Sequence, residues 1–209
     1  MTKDNCSGRF GIAKKGKIGI LIEDHYDPTE LDRFNSFFPE KGYQVEYITH
    51  LWGTPSLHFW SNPDNGKIVN EITVTTEVND VSPTDYKGII LIGGYAMDRL
   101  RYEKAPQKGV PNKAPAIQFL RKVFMTKGLK LGTICHSLWL LCADRKMVAG
   151  RRVTCAENII CDVENAGGEV VYAKEGGTVN LVIDGDLISA KHPGIVDQFM
   201  AEFLSEIEK

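Results

Sequence analysis

Short apolar runs alternate with helical-period stretches along most of this chain. Lys17 to Ile22 is a compact, β-branched apolar run ending in charged and turn residues, as a buried parallel strand does. Asp27-Pro28-Thr29 then opens a helix, with Asp27 as its expected N-cap. Leu31, Phe34, Phe37 and Phe38 recur at helical spacing, and Gly42 stops the helix before a strand over 44–48. From Leu51 to Asn70 the periodicity disappears among Gly53, Pro55, Pro63 and Gly66, with Trp52, His58, Phe59 and Trp60 between them. An irregular insertion is therefore expected over 51–70. Residues 73–78 alternate like an exposed hairpin strand, and Gly88 to Ile92 form a third buried strand closed by Gly93-Gly94.

The second half continues the alternation. A helix over about 114–126 precedes a strand over 130–134, and a helix is expected from Cys135 through Leu138, Leu140, Leu141 and Met147 to Gly150. A short helix near 159–165, a strand over 169–172, a hairpin-like pair (180–184 and 186–190) joined at Gly185, and an amphipathic helix over 195–207 complete the chain. Strands separated by helices predict an α/β fold: a doubly wound, mostly parallel sheet sandwiched by helices, with a small β-hairpin addition. In such folds the chemistry lies at the carboxyl ends of the strands. Residues 27–30, Gly93-Gly94 and Cys135 all follow such ends, so three distant segments are expected to meet in one crevice.

Composition narrows the partners. The chain has 209 residues, 43% hydrophobic and 25% charged, which suits one domain over 17–209 behind a flexible tail at 1–16. A net charge of −2 without a long basic run argues against nucleic acid. No export signal and no run of about 18 apolar residues is found, so no membrane partner is expected. Five cysteines, none spaced Cys-x-x-Cys, read as reduced thiols of a cytoplasmic protein. The histidines at 25, 50, 58, 136 and 192 have no ligand-type spacing, and Gly93-Gly94 does not continue into a Gly-x-Gly-x-x-Gly pattern. Neither a metal nor an organic cofactor is expected.

Cys135 stands where a strand turns sharply into a helix, so the following amides point back at its sulfur and favour the anion. A lowered thiol pKa is the expectation, while Cys142, Cys155 and Cys161 lack such an elbow. The amides of His136 and Gly94 are candidate donors to a developing oxyanion, and the His136 side chain is a candidate base. Glu30, in the first turn of the first helix, is the acid expected nearest the sulfur, protonated if it shares a hydrogen bond with a thiolate. Tyr95 and His192 are further candidates for the pocket wall.

With its stretches 89–94 (Ile-Ile-Leu-Ile-Gly-Gly), 96–101 (Ala-Met-Asp-Arg-Leu-Arg), 133–136 (Thr-Ile-Cys-His), 161–167 and 182–188, the chain resembles the ThiJ/PfpI superfamily and its class I glutamine amidotransferase-like fold. The resemblance implies a flavodoxin-like sandwich, a homodimer or higher oligomer, Cys135 as nucleophile and Glu30 as its protonated neighbour. It also implies an oxyanion hole framed by His136 and Gly94. In the PfpI-type peptidases an acid after the double glycine is donated across a subunit interface to the histidine; that position here is Asp98, where those peptidases carry glutamate. Glutamine amidotransferases use a late His-Pro-Glu, of which this chain keeps His192-Pro193 but has Gly194 in place of the glutamate.

Two functional classes follow. One is a cysteine-dependent enzyme acting on a small-molecule carbonyl or a peptide, by amide hydrolysis or by glyoxalase-like conversion of small 2-oxoaldehydes. In that class a pocket closed by Trp52 to Trp60 would select small aldehydes. The other is a non-catalytic redox sensor or stress-responsive, chaperone-like protein built on the same thiol.

Overall fold

The computed structural model describes residues 15–63, 66–95 and 97–209. Its centre is a seven-stranded sheet. The strands are β1 (Gly16–Leu21), β2 (Tyr43–Thr49), β5 (Thr76–Glu77), β6 (Gly88–Leu91), β7 (Lys130–Ile134), β10 (Leu181–Asp184) and β11 (Leu187–Ala190), in the order β10-β11-β7-β6-β1-β2-β5. All neighbours are parallel except β10 and β11, which form the expected hairpin. Two small two-stranded sheets lie outside it: β3 (Leu57–Trp60) with β4 (Glu71–Val74), and β8 (Arg152–Val153) with β9 (Glu169–Val170). Fully buried Ile18, Ile20, Leu21, Ile89, Ile90 and Leu91 show why the central runs lack polar alternation: both sheet faces are covered.

The helices are α1 (Pro28–Glu40), α2 (Met97–Leu100), α3 (Pro115–Met125), α4 (Ile160–Asn165) and α5 (Val196–Ile207). α1 begins as expected, because the Asp27 side chain accepts the Glu30 amide at 3.0 Å. Phe34 and Phe38 of α1 interlock with Phe199 and Phe203 of α5, with centroid separations of 6.4 Å and 6.3 Å across the pair. The α5 rings lie directly on the sheet. A Cβ at Gly132 would come within 2.7 Å of Phe199 Cζ, and one at Gly88 within 2.6 Å of Phe203 Cζ. Those glycines are the seats of the rings. No helix among the described residues is long and apolar enough to cross a membrane.

Three expectations change. The insertion over 51–70 is not irregular throughout: Leu57 and Phe59 alternate with His58 and Trp60 to form β3, and Phe59 is buried. Of the strand expected over 73–78, only residues up to 74 pair in that hairpin, and Thr76-Glu77 instead extend the central sheet parallel to β2. The segment after Cys135 is a 3-10 helix over Cys135–Ala143 and a second over Arg145–Met147, not one α-helix to Gly150. Leu138, Leu140 and Leu141 are all buried, covering adjoining positions rather than one α-helical stripe, and Asp144 breaks the run by accepting Arg121 Nε at 2.6 Å. Of the tail expected at 1–16, residues 1–14 lie outside the described residues, while Gly16 already belongs to β1.

Candidate active site

The sheet brings the three expected segments together. β7 ends at Ile134, and Cys135 follows with φ of 60°, a left-handed conformation that costs a non-glycine residue about 1 kcal/mol or more. Ser137 holds this elbow closed: its hydroxyl donates to the Ile134 carbonyl at 2.8 Å and accepts the Ile134 amide at 2.9 Å. The Ala156 amide donates to the Cys135 carbonyl at 3.1 Å, so the loop after β8 braces the elbow from the other side. A strained residue fixed by three hydrogen bonds points its side chain where the surroundings dictate.

That side chain is buried against Glu30, and the two meet across Gly93. A Cβ at Gly93 would lie 2.5 Å from Glu30 Oε1 and 2.9 Å from Cys135 Cβ, so only glycine leaves room for the pair. Glu30 is fully buried. Its Oε2 accepts the Gly93 amide at 2.6 Å, while Oε1 has no hydrogen-bond partner among the described residues. Burial, then the charge of Asp27, push its carboxyl well above the ordinary range, outweighing the Gly93 amide. Both effects favour the protonated form of Glu30.

The thiol departs from expectation. Burial, then negative charge on Glu30, push it up to about 12, against the opposing pull of the neighbouring His136 and Gly94 amides. The elbow supplies the anion-favouring donors that the sequence implies, but segments distant in sequence bury the sulfur and win. The ionisation of Cys135 is therefore coupled to the charge on Glu30. His136 faces the sulfur, with Nδ1 3.2 Å from Sγ and its ring 5.2 Å from that of Tyr95.

A cleft of about 830 Å³ opens over Cys135, walled by Gly94, Tyr95, His136 and His192 among the expected residues. Gly94, with φ of 104°, lies so close to the Tyr26 segment that a Cβ would run into the His25 carbonyl oxygen. The Nδ1 of His192 accepts the Gly194 amide at 2.9 Å, so the nitrogen that an amidotransferase histidine would offer to an orienting carboxylate is already committed. Asp98 is not brought to Cys135. It is exposed on α2 and lines a separate surface cleft with Trp52, Arg99, Arg101 and Tyr102, so a Cys135–His136–Asp98 triad is not assembled within one chain.

The tryptophans do not close the cleft. Trp52 stacks against His50 and Arg99, and Trp60 is exposed beside His58. The insertion contributes Asn62 instead, next to Thr29, and the late loops contribute Cys155, Glu157, Asn158 and Lys191. No local signal marks these residues, because hydrogen bonds between distant segments place them, such as the Asn62 amide to the Tyr26 carbonyl at 2.9 Å. Among the described residues no group of three or more His, Cys, Asp or Glu side chains is arranged to hold a metal ion, and the four described cysteines are free thiols.

Comparison with known proteins places the fold. Over 199 residues the chain is 26% identical to general stress protein 18 of Bacillus subtilis, covering 92% of this chain and 98% of that protein. Over 188 residues it is 28% identical to the deglycase PfpI of Pyrococcus furiosus, covering 90% and 97%. A ThiJ/PfpI domain protein from Brachyspira murdochii shares the fold with a TM-score of 0.73 at 12% identity, over 94% of this chain and 98% of that one. The family model described as the DJ-1/PfpI family matches residues 16–206, and the chain belongs to that family.

Proposed function

We propose that the protein is a cysteine-dependent enzyme that converts 2-oxoaldehydes, free or carried as adducts, into 2-hydroxy acids. The observation that carries this reading is the buried Glu30–Cys135 pair: a fully buried carboxyl and a buried thiol side chain that meet at Gly93, with the Gly94 and His136 segments beside them. The Sγ proton passes to His136 Nδ1 as the sulfur adds to the aldehyde carbon, and the new alkoxide, within reach of the Gly94 and His136 amides, takes that proton back. The product is a hemithioacetal.

Glu30 then acts as a bifunctional acid. One oxygen takes the hydrogen from the former aldehyde carbon while the O–H donates to the neighbouring carbonyl oxygen, giving an enediol. The same exchange in reverse places a proton on the second carbon and removes one from the first oxygen, leaving a thioester of the 2-hydroxy acid. Glu30 ends as it began, protonated. Water, deprotonated by His136, cleaves the thioester, releasing the acid and restoring the thiol. One water is consumed, and no external oxidant or reductant is required.

The placement of the acids favours this reading over peptide hydrolysis. Within one chain the acid beside Cys135 is the buried Glu30, whereas Asp98 lies in another cleft and would meet His136 only across a subunit interface. The names of two relatives, a deglycase and a general stress protein, fit a role in removing reactive carbonyls. Incubation of the reduced protein with methylglyoxal is expected to release lactate, and Cys135→Ala is expected to release none. Equal lactate from both proteins would overturn the proposal.

A further inference from the structure

The cleft that holds Asp98 has no part in the chemistry at Cys135, yet its lining is far from ordinary surface. It has a volume of about 480 Å³ and is walled by Trp52, Asp98, Arg99, Arg101 and Tyr102. Clefts of about 300–1,000 Å³ accommodate small organic ligands. Trp52 is 37% exposed and Tyr102 56%, with their ring centroids 5.7 Å apart. Exposed aromatic surface gathered in a concavity between two guanidinium groups marks a place where something binds.

Both cations are held in position from within the fold. Arg99 Nη1 donates at 3.1 Å to Oε1 of Glu23, a fully buried carboxyl just past β1, and the guanidinium carbon lies 5.6 Å from the centre of the Trp52 ring. Arg101 stacks on Trp139 at 4.1 Å and its Nη1 donates to the Trp139 carbonyl at 3.4 Å, but among the described residues it joins no ion pair. A guanidinium carries five N–H donors, so each arginine keeps most of its own available to a ligand. Trp52 is fixed as well. It adopts φ of 56°, a left-handed conformation rare for a bulky side chain, in a turn held by the Leu51 amide donating to Glu77 at 2.6 Å and the Thr54 amide donating to the Leu51 carbonyl at 3.0 Å. Strain that keeps an indole at the surface, where it contributes little to the core, is characteristic of a ligand clamp.

The chemistry of the lining selects the ligand. Parallel N–H donors of a guanidinium match the two oxygens of a carboxylate, and aromatic faces beside them match a planar ring. Two arginines against one aspartate leave the cleft with a single excess positive charge, which suits a monoanion, whereas Asp98 repels a doubly charged phosphate. We infer that this cleft is a binding site for a small aromatic monocarboxylate, whose carboxylate pairs with Arg99 and Arg101 while its ring packs on Trp52 and Tyr102. The site is separate from the carbonyl chemistry proposed above and does not rest on it.

Calorimetric titration of the full chain with naphthalene-2-carboxylate tests the site without any turnover. A Kd below about 1 mM is expected. Naphthalene-2-methanol, which lacks the charge, should bind about tenfold more weakly or worse, and cyclohexanecarboxylate, which lacks the aromatic ring, about three- to tenfold more weakly. Arg101→Gln should weaken naphthalene-2-carboxylate binding about tenfold, and Arg101→Lys should recover part of the loss. Equal binding by Arg101→Gln and the wild type, with matching melting temperatures, overturns the inference.

Nuclear magnetic resonance of the same titration locates the ligand. The indole N–H signal of Trp52, identified by its absence in Trp52→Phe, should shift on addition of naphthalene-2-carboxylate. Shifts confined to the amides around Cys135 and His192 would place the ligand in the other cleft and overturn the inference. So would an absence of binding in a protein whose solution mass is twice that of the chain, because a second copy would then cover the cleft.

Discussion

One face of the sheet and the carboxyl ends of its strands solve opposite problems. On the face covered by α1 and α5, Phe34, Phe38, Phe199 and Phe203 interlock over Gly88 and Gly132. In the crevice at the carboxyl ends, Cys135 is left-handed and Glu30 is buried with one oxygen unpartnered among the described residues. Apolar shape is satisfied in the first region; in the second, polar capacity is withheld from the protein itself. Sites that act on a ligand are where such local costs are expected to collect.

Substitutions in the two regions should therefore separate stability from activity. The largest effect expected is on turnover: Cys135→Ala should reduce lactate release by a factor on the order of 10³ or more, with little change in melting temperature. Phe203→Ala should do the reverse, costing about 3–5 kcal/mol of stability. For a chain of this length the melting temperature should fall by roughly 2–4 °C per kcal/mol in a calorimetric scan. If Phe203→Ala melts like the wild type, the aromatic face is not the structural anchor described.

Glu30→Gln sharpens the contrast because it should gain stability while losing activity. The folded carboxyl titrates above its unfolded value of 4.5, so the native state holds its proton where the unfolded state has lost it. Below that value both states are protonated and the stability is fully present. It is lost progressively as pH rises through the interval toward the folded pKa. Glutamine does not titrate, so the variant should match the wild type near pH 4 and exceed it by about 0.5–2 kcal/mol at pH 8. An advantage that instead grows toward acid would mean Glu30 is charged in the fold.

The smallest effect concerns the elbow alone. Glycine at position 135 adopts φ of 60° without strain, so Cys135→Gly should be about 1 kcal/mol more stable than Cys135→Ala in denaturant titrations. Equal stabilities would indicate that the elbow relaxes once the sulfur is removed.

The same division explains what the sequence discloses. Buried parallel strands need uninterrupted apolar runs, and Asp27-Pro28 is a local helix start, so β1, β6, β7 and α1 are legible residue by residue. The convergence of Glu30, Gly93 and Cys135 follows from strand ends alone. β3 is hidden because four residues of alternation sit within a Pro- and Gly-rich stretch. The 3-10 form of the segment after Cys135 depends on burial from several sides at once, and the raised thiol pKa on the desolvation that distant segments impose. Asn62 carries no local signature: its position is set by pairing with Tyr26, thirty-odd residues earlier.

Rapid-quench mass spectrometry of the protein with methylglyoxal tests the central claim most directly, by asking which residue carries the substrate and what removes it. The account predicts a mass increase of one methylglyoxal on Cys135, transient in the wild type, persistent in Glu30→Gln and absent in Cys135→Ala. An adduct on another residue, or one that clears equally fast without the Glu30 carboxyl, would contradict it.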